Sequence, residues 1–430
     1  MQHVDQKKLD LSARRIKFGS LATVGGRISN AGSQLLITGL LARTLEPNTF
    51  GIWVVLYTIY SLVPSLDFGL GQSLRLKLAN LNASGSQGVL EQQLFSSVLF
   101  MLIAWGLIFA GIIIVVLNLI LVLNLNLKIA LMFFSVICGI SVALSLGTQV
   151  FYSYEEGFER GILDMIQAVI LVVAIWGVSG SANLETIVYV FFGMTSLISM
   201  GSLVWFIKRR GWVIKIPQIS DSIIALQYLG RSSLWFWLLS VFAVGILNTS
   251  PLFIASMTNL EQVGHFSILQ RLFGMLVTVH LAWLAPFQSA YTRAIALKEW
   301  SWLRATWIRS SRLTAIWMAT VTVALMFTYQ NLVLLWTGKI FYEPALVAIF
   351  SIWVYVWTWI NVNSVVLNGI GILKPQVIFL GIGFLIYVSL GIFLVPLLGV
   401  SGILVASLIG ILPLSILNPI WIQNKIAGNV

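Results

Sequence analysis

Apolar runs of about 20 residues recur from one end of the chain to the other, and each is long enough to cross roughly 30 Å of hydrocarbon. One of them reads "FMLIAWGLIFAGIIIVVLNLILVL" from Phe100. In lipid the backbone must satisfy its own hydrogen bonds, so such runs form either helices or a closed barrel. Barrel strands would alternate strictly over about ten residues. Because these runs are continuously apolar, the pattern predicts membrane-spanning helices.

Composition agrees with a membrane solvent. Of the 430 residues, 59% are hydrophobic and only 9% are charged, whereas a soluble domain carries roughly a quarter charged residues. The net charge of +11 would suit nucleic acid, but the charges lie in short loops between apolar runs, so no nucleic-acid partner is expected. The one cysteine, Cys138, excludes a disulfide framework and a cysteine-ligated metal site. The sequence predicts no cofactor, no metal and no cleaved signal peptide.

The apolar runs predict about twelve spans. Their predicted centres lie near Ile28, Ile59, Trp105, Ser141, Leu171, Ser196, Leu239, His280, Thr320, Trp357, Leu385 and Leu408.

The basic residues predict the orientation of these spans. With a cytoplasmic N-terminus, most lysines and arginines fall in inner loops, and only Arg43, Lys128 and Lys339 fall outside. Such an imbalance is the positive-inside pattern. An even number of spans then places both termini in the cytoplasm.

The chain divides into two predicted halves. Residues 1–15 form a cytoplasmic segment, residues 16–207 a six-helix bundle, residues 208–222 a cytoplasmic linker and residues 223–430 a second six-helix bundle. Gly51 and Gly264 occupy equivalent places in the second and eighth spans, each after a short polar turn. Parallel repeats of this kind build transporters with the substrate site between the halves. The expected fold is therefore an all-α polytopic membrane protein with two bundles around a central cavity.

The same segments carry a family resemblance. Residues 42–79, with "FGIW" and "PSLDFGLGQSLRLKLA", and residues 259–293, with "VGHF" and "LAPFQSAYTRA", resemble Wzx-type polysaccharide flippases. These belong to the multidrug/oligosaccharidyl-lipid/polysaccharide exporter superfamily, and the predicted span number, length and termini fit along the whole chain. The resemblance implies an O-antigen or lipopolysaccharide role in the bacterial inner membrane. It also implies translocation of undecaprenyl-pyrophosphate-linked oligosaccharide by alternating access.

The polar residues of the first span form one stripe. Ser20, Thr23, Arg27, Asn30, Gln34 and Thr38 recur at spacings of three and four, which places them on one helical face. An arginine at the centre of a span costs about 2.5–3.5 kcal/mol on insertion scales. A water-filled passage accounts for the arginine, while an interhelical contact through hydroxyls and amides is the alternative.

Two more arginines fall within spans, Arg231 in the seventh and Arg271 in the eighth. Snorkelling to the nearer surface is the alternative for both. An arginine fork suits phosphate oxygens through paired hydrogen bonds. The predicted substrate-binding residues for pyrophosphate and sugar are therefore Arg27, Asn30, Gln34, Arg231, Arg271, Asn361 and Asn368.

Asp67 and His280 are the candidates for coupling to a proton or sodium gradient. Asp67 lies in a span after Pro64 and before Gly69, so its helix is expected to be loosened there. A structural role is an equal alternative for this carboxylate. His280 lies at the centre of the eighth span, and histidine can titrate near neutral pH, although a lone histidine more often makes an interhelical hydrogen bond.

Other function classes have less support. The sequence contains no GxxxxGK[ST] loop and no HExxH helix, so we predict a transporter without catalytic residues. A membrane polysaccharide polymerase would need a substantial external loop. A multidrug/cation antiporter of the same superfamily would favour carboxylates in its spans. The expected partners are the lipid-linked oligosaccharide, membrane lipids, a proton or sodium ion, and glycan polymerase and chain-length proteins.

We predict that replacing Arg27 by Ala, and separately by Glu, cripples flipping and leaves membrane insertion intact, because the diphosphate loses a cationic partner. Surface glycan is measured in cells that carry each variant at native levels. Normal surface glycan in either strain would remove Arg27 from the mechanism.

Overall fold

The computed structural model describes residues 2–83, 88–120, 125–154, 156–180, 183–339 and 342–428. Helices dominate these residues. Those of the first half are α1 Gln2–Thr44, α2 Pro47–Leu62, α3 Leu70–Ala83, α4 Gly88–Ile120, α5 Leu125–Ser153, α6 Gly157–Ser179 and α7 Leu184–Arg209. Those of the second half are α8 Ile219–Asn248, α9 Ser250–Met257, α10 Leu260–Ala296, α11 Trp300–Thr337, α12 Pro344–Ile370, α13 Lys374–Leu398 and α14 Val400–Ala427.

Each predicted span centre lies within one of these helices. Ten spans in the described part of the chain are long and apolar enough to cross a membrane, and α8 adds an eleventh if its two segments, bent by 67°, count as one. Helix α1 is not among them, because its charged start and the polar residues that recur along it interrupt the apolar sequence. The all-α polytopic fold is confirmed.

The helices group into two compact units. The first comprises Met1–Ser33 and Ile59–Val241, and the second comprises Gln34–Thr58 and Phe242–Val430. Helices α1, α2 and α8 therefore each contribute residues to both units. This grouping by contact places Gln34–Thr58 in the second unit, whereas the sequence assigns these residues to the first bundle, 16–207. The division into two sequential bundles joined by a linker at residues 208–222 remains a prediction.

One helix forms the centre of each unit. In the first unit, α5 packs on α3, α4, α6 and α7, and in the second, α12 packs on α10, α11 and α14. Both central helices are the most buried of the candidate spans. Small residues on α5, including Gly139, Ser141 and Ala143, are buried. They let the neighbouring helices approach closely, as is usual between helices in membranes.

Helices α4 and α5 meet backbone to backbone at Gly106 and Gly139. A Cβ atom added to Gly106 would overlap the carbonyl of Gly139, and one added to Gly139 would overlap the carbonyl of Gly106. A Cβ on Gly111, further along α4, would meet nothing. The crossing of α4 and α5 therefore depends on the absence of a side chain at one position of α4 and not at the other.

Gly106→Val is expected to lower the free energy of unfolding by about 1–3 kcal/mol, because overpacking forces the two backbones apart. Gly111→Val is the matched control on the same helix and is expected to leave the stability nearly unchanged. Thermal unfolding of the purified variants in one detergent measures both. Equal melting temperatures for the two variants would contradict the crossing described here.

Candidate functional site

The site begins with a close crossing of α2 and α10 inside the second unit. A Cβ on Gly51 would overlap the backbone of Leu260, and a Cβ on Gly264 would lie 2.9 Å from Cδ1 of Phe50. The two glycines that the sequence placed in equivalent positions therefore face each other's helices. Larger residues at these positions would hold the helices apart, so the glycines permit side chains further along α2 and α10 to touch.

Arg271 lies on α10, beyond that crossing. It lies seven residues beyond Gly264, and Tyr57 lies six beyond Gly51, which corresponds to about 10 and 9 Å along the two helices. The guanidinium carbon of Arg271 lies 4.2 Å from the centre of the Tyr57 ring and 5.3 Å from that of Trp53. The spacing of four residues puts Trp53 and Tyr57 on one face of α2.

A third neighbour completes the surroundings of Arg271. Its Nη1 donates a hydrogen bond to Oε1 of Gln34 at 3.2 Å. Two predicted site residues, Gln34 and Arg271, are thus brought together within one unit. The arginine is half-buried. None of the described carboxylates forms an ion pair with it.

Arg271 carries a positive charge, and only some of its N–H donors have hydrogen-bond acceptors in the protein. Its aromatic neighbours bind the face of the guanidinium through cation–π attraction, which increases when the site is desolvated. A guanidinium carries five N–H donors, of which Gln34 accepts one and the hydroxyl of Tyr57 accepts another. The remaining donors lie in the plane of the fork, where an oxyanion accepts two parallel hydrogen bonds. These donors suit an oxyanion, and anion binding at Arg271 stays a prediction.

The predicted site residues of the first unit form a separate basic region. The side chains of Arg27 and Asn30 are exposed. The guanidinium carbon of Arg75 lies 4.9 Å from the centre of the Tyr152 ring. Partial removal from solvent lowers the pKa of Arg75, Tyr152 opposes this shift, and the positive charge of Arg27 adds to it. The two arginines are therefore close enough for their charges to interact.

Part of the predicted stripe on α1 is satisfied within the protein. Thr23 donates to the carbonyl of Gly157 at 3.1 Å, and Thr38 donates to the carbonyl of Gln34 at 2.6 Å in its own helix. The interhelical alternative thus applies to Thr23. Arg27 and Asn30 keep their side chains exposed, which leaves them available to a ligand.

The remaining predicted binding residues differ in their surroundings. The side chain of Arg231 lies outside the described part of the structure. Asn361 is half-buried, and its Nδ2 has no hydrogen-bond partner among the described residues. Asn368 is exposed and accepts a hydrogen bond from Gln376 at 3.2 Å. On the same helix α12, Asn363 is fully buried and accepts from Trp307 at 2.8 Å, so the amides of α12 serve packing as well.

Asp67 holds together a turn between α2 and α3. Its carboxylate accepts hydrogen bonds from the backbone N–H groups of Gly69, at 2.7 Å, and Gly71, at 3.1 Å. The residues in the turn, Phe68 and Gly69, both have positive φ, of 52° and 73°. The backbone of Ser233 in α8 presses on Gly69 where a Cβ would lie. These contacts support the structural alternative, and the coupling role of Asp67 stays a prediction.

His280 is enclosed by its neighbours in the second unit. It is fully buried, and its Nε2 lies 3.1 Å from the hydroxyl of Thr314. The rings of Trp283 and Trp317 lie 5.8 and 6.4 Å from the imidazole, centre to centre. An imidazole without solvent contact exchanges protons only after its surroundings open, so coupling through His280 stays a prediction that needs such an opening.

The first unit also contains a cavity of about 110 Å³. Hydroxyl groups on α5 line one wall, and Ser141 bonds to Tyr60 at 3.2 Å. Arg160, which forms an ion pair with Asp164 at 2.5 Å, lies at the same cavity. Its complete lining is Tyr60, Val63, Pro64, Ser141, Leu144, Ser145, Thr148, Arg160 and Ser199. A polar cavity of this size holds several water molecules.

Sequence reasoning missed the aromatic neighbours of Arg271. Trp53 and Tyr57 are not among the predicted site residues, because aromatic residues near span ends usually lie at the membrane interface. The available signal was their spacing of four residues together with the register that relates Gly51 to Gly264. That register places α2 beside α10, and Arg271 then faces the aromatic side of α2.

No protein-family model matches the sequence, and no characterised protein matches it at significant sequence similarity. Solved structures match its fold. A multidrug resistance MATE family transporter of the MOP superfamily in an inward-facing conformation aligns with a TM-score of 0.72 at 12% identity, over 95% of this chain and 98% of that one. The outward-facing form of a transporter described in the same words aligns with 0.64 at 14% identity, over 96% of each chain.

A third solved structure belongs to the same superfamily. It is a MOP superfamily transporter from Pyrococcus furiosus, described as having a binding pocket of reverse polarity that suggests a different function. It aligns with a TM-score of 0.61 at 13% identity, over 96% of each chain. The chain therefore has the fold of these MATE transporters, in agreement with the all-α polytopic fold expected from the sequence.

Asp67→Asn is expected to lower the free energy of unfolding by about 1–3 kcal/mol, because the hydrogen bonds accepted by the carboxylate are charge-assisted. If the role of Asp67 is structural, the pH profile of transport keeps its shape in this variant. Thermal unfolding and transport at several pH values measure the two effects. Unchanged stability combined with a lost pH dependence would instead assign Asp67 to ion coupling.

Proposed function

We propose that this chain is a flippase that moves undecaprenyl-pyrophosphate-linked oligosaccharide across the bacterial inner membrane by alternating access. The observation that carries the proposal is the half-buried Arg271, which lies on Tyr57 and Trp53 without an ion pair among the described residues. The family resemblance of residues 42–79 and 259–293 supports the same substrate. Coupling to a proton or sodium gradient is part of the proposal.

The electrostatics of a membrane site favour a diphosphate at Arg271. A charge in a span costs about 2.5–3.5 kcal/mol on insertion scales, and no protein carboxylate among the described residues offsets that cost by pairing with this arginine. A bound diphosphate supplies the missing negative charge together with oxygens that match the guanidinium fork. A cationic drug would meet repulsion at the same position. The site therefore selects for an anionic headgroup.

The first unit supplies a second basic position. The charge of Arg27 acts on Arg75, and neither arginine forms an ion pair among the described residues. Like charges at close range repel, and a shared anion relieves that repulsion. Each unit thus carries its own basic position, as a headgroup that is passed along a transport path would require.

A multidrug/cation antiporter is the second candidate function. It is favoured by the fold likeness to proteins that are described as multidrug resistance transporters. The described polarity of the Pyrococcus furiosus pocket indicates that proteins of this superfamily differ in pocket charge, so the charge near Arg271 is the feature that separates the two candidates.

We predict that Arg271→Ala weakens binding of a short prenyl diphosphate about tenfold to hundredfold, which corresponds to the loss of charge-assisted hydrogen bonds of about 1.5–3 kcal/mol. Arg271→Lys should give an intermediate loss, because an ammonium keeps the charge but not the planar fork. Binding to the purified full chain is measured by calorimetry, with the prenyl alcohol as the uncharged probe.

Lys374→Gln is the matched control for Arg271→Ala, because Lys374 belongs to the same unit and has an exposed side chain. It removes the same charge and is expected to leave diphosphate binding unchanged. A cationic dye serves as the counter-probe. If the dye binds the native chain, and the diphosphate binds native chain and Arg271→Ala equally, the antiporter function replaces the flippase function.

A further inference from the structure

Helix α11 is much longer than a bilayer requires. Its 38 residues extend about 57 Å at 1.5 Å per residue, compared with roughly 30 Å of hydrocarbon. Its first thirteen residues contain Arg304, Arg309 and Arg312, and the whole helix contains no acidic residue. Residues from Leu313 onward are largely apolar. A change from basic to apolar residues, as at Arg312 and Leu313, is expected where a helix passes from the headgroup level into hydrocarbon.

Packing within the second unit fixes which face of α11 points outward. Leu303 and Trp307 are buried in a cluster with Tyr291. Trp307 donates a hydrogen bond to Asn363 at 2.8 Å, and Ser310 lies 3.1 Å from the hydroxyl of Tyr291. These contacts fix one face of α11 against its neighbours in the second unit, so the opposite face points away from them.

The outward face carries two arginines followed by an apolar stripe. The side chains of Arg309 and Arg312 are exposed. Beyond them, at helical spacings of four and seven, lie Ile316, which is 66% exposed, Val323, which is 52% exposed, and Phe327, which is 84% exposed. A phospholipid has a matching order along the membrane normal, with its charged phosphate first and its apolar acyl chains after it.

Several other arginines have partners within the protein. Arg210 pairs with Glu156 at 2.7 Å, and Arg160 pairs with Asp164 at 2.5 Å. Arg43 donates to the carbonyls of Trp336 and Leu335. Arg309 and Arg312 make no ion pair among the described residues, so their donors are available to a ligand from the bilayer.

We propose that Arg309 and Arg312 form a binding site for an anionic phospholipid of the inner leaflet. The two residues lie one turn apart, with Cβ atoms about 5–6 Å from each other, so both guanidinium groups reach one phosphate. The acyl chains lie along Ile316, Val323 and Phe327. Trp302, which is 43% exposed on the same side of α11, adds an indole at the headgroup level, where tryptophan is favoured.

The test compares two double variants of the full chain that remove equal charge from the same stretch. Arg309→Gln with Arg312→Gln is expected to weaken binding of phosphatidylglycerol on the order of thirtyfold, since each basic residue near an anionic surface contributes about fivefold. Lys298→Gln with Arg304→Gln is the control and should keep most of the binding. Native mass spectrometry of the detergent-solubilised protein measures bound lipid, with phosphatidylcholine as the zwitterionic probe.

Three results would overturn the proposal. Equal loss of binding in the two double variants would mean diffuse attraction to a basic surface. Binding of phosphatidylcholine as tight as that of phosphatidylglycerol would exclude a role of lipid charge. Full binding by Arg309→Gln with Arg312→Gln would exclude these two arginines from the lipid site. Because a glutamine variant can lose stability, Arg309→Lys with Arg312→Lys is measured too and is expected to retain binding within about tenfold. Arg271→Ala is expected to bind phosphatidylglycerol normally, so this test stands apart from that of the flippase function.

Discussion

A guanidinium inside a membrane span must find partners in the protein, in water or in a ligand, because bare hydrocarbon offers none. Arg271 has aromatic faces beneath it and one amide oxygen beside it. Those contacts reduce the cost of insertion without neutralising the charge. A protein that needed only stability at this position would be better served by an apolar residue, since replacing buried charges by apolar groups is often neutral or stabilising. The retained charge of Arg271 is the feature on which the proposal of an anionic substrate rests.

The support for Arg271 depends on helix packing several residues away. Glycines at positions 51 and 264 allow α2 and α10 to cross in close contact, and this crossing brings the aromatic side of α2 against the arginine. In membranes, small residues rather than hydrophobic burial let helices approach. The surroundings of Arg271 and the packing of α2 on α10 therefore share one origin, the absence of side chains at positions 51 and 264.

The helices could be predicted from the sequence, because the hydrophobic runs are local properties. Gln34 could be named as a candidate from its helical spacing in the polar stripe of α1, and Arg271 from its place in an apolar run, and the structure brings the two side chains together. The sequence predicts a loosened helix at Asp67, and the structure has a turn there. The Asp67 carboxylate accepts hydrogen bonds from backbone N–H groups of this turn. The aromatic platform of Arg271 could not be read in advance, since it requires knowing which helices touch. The same holds for the cavity beside Tyr60 and Arg160, where side chains from separate helices meet.

The most direct measurement of the central claim is the distance between the Arg271 guanidinium and the phosphorus of a bound prenyl diphosphate. Solid-state NMR with ¹⁵N-arginine and ³¹P dephasing provides it for the full chain in lipid, and the spectrum of Arg271→Lys identifies the signal. A nitrogen–phosphorus distance of about 4 Å, that of a charge-assisted hydrogen bond, is the predicted result. Saturating diphosphate without dephasing of the Arg271 signal would contradict the account.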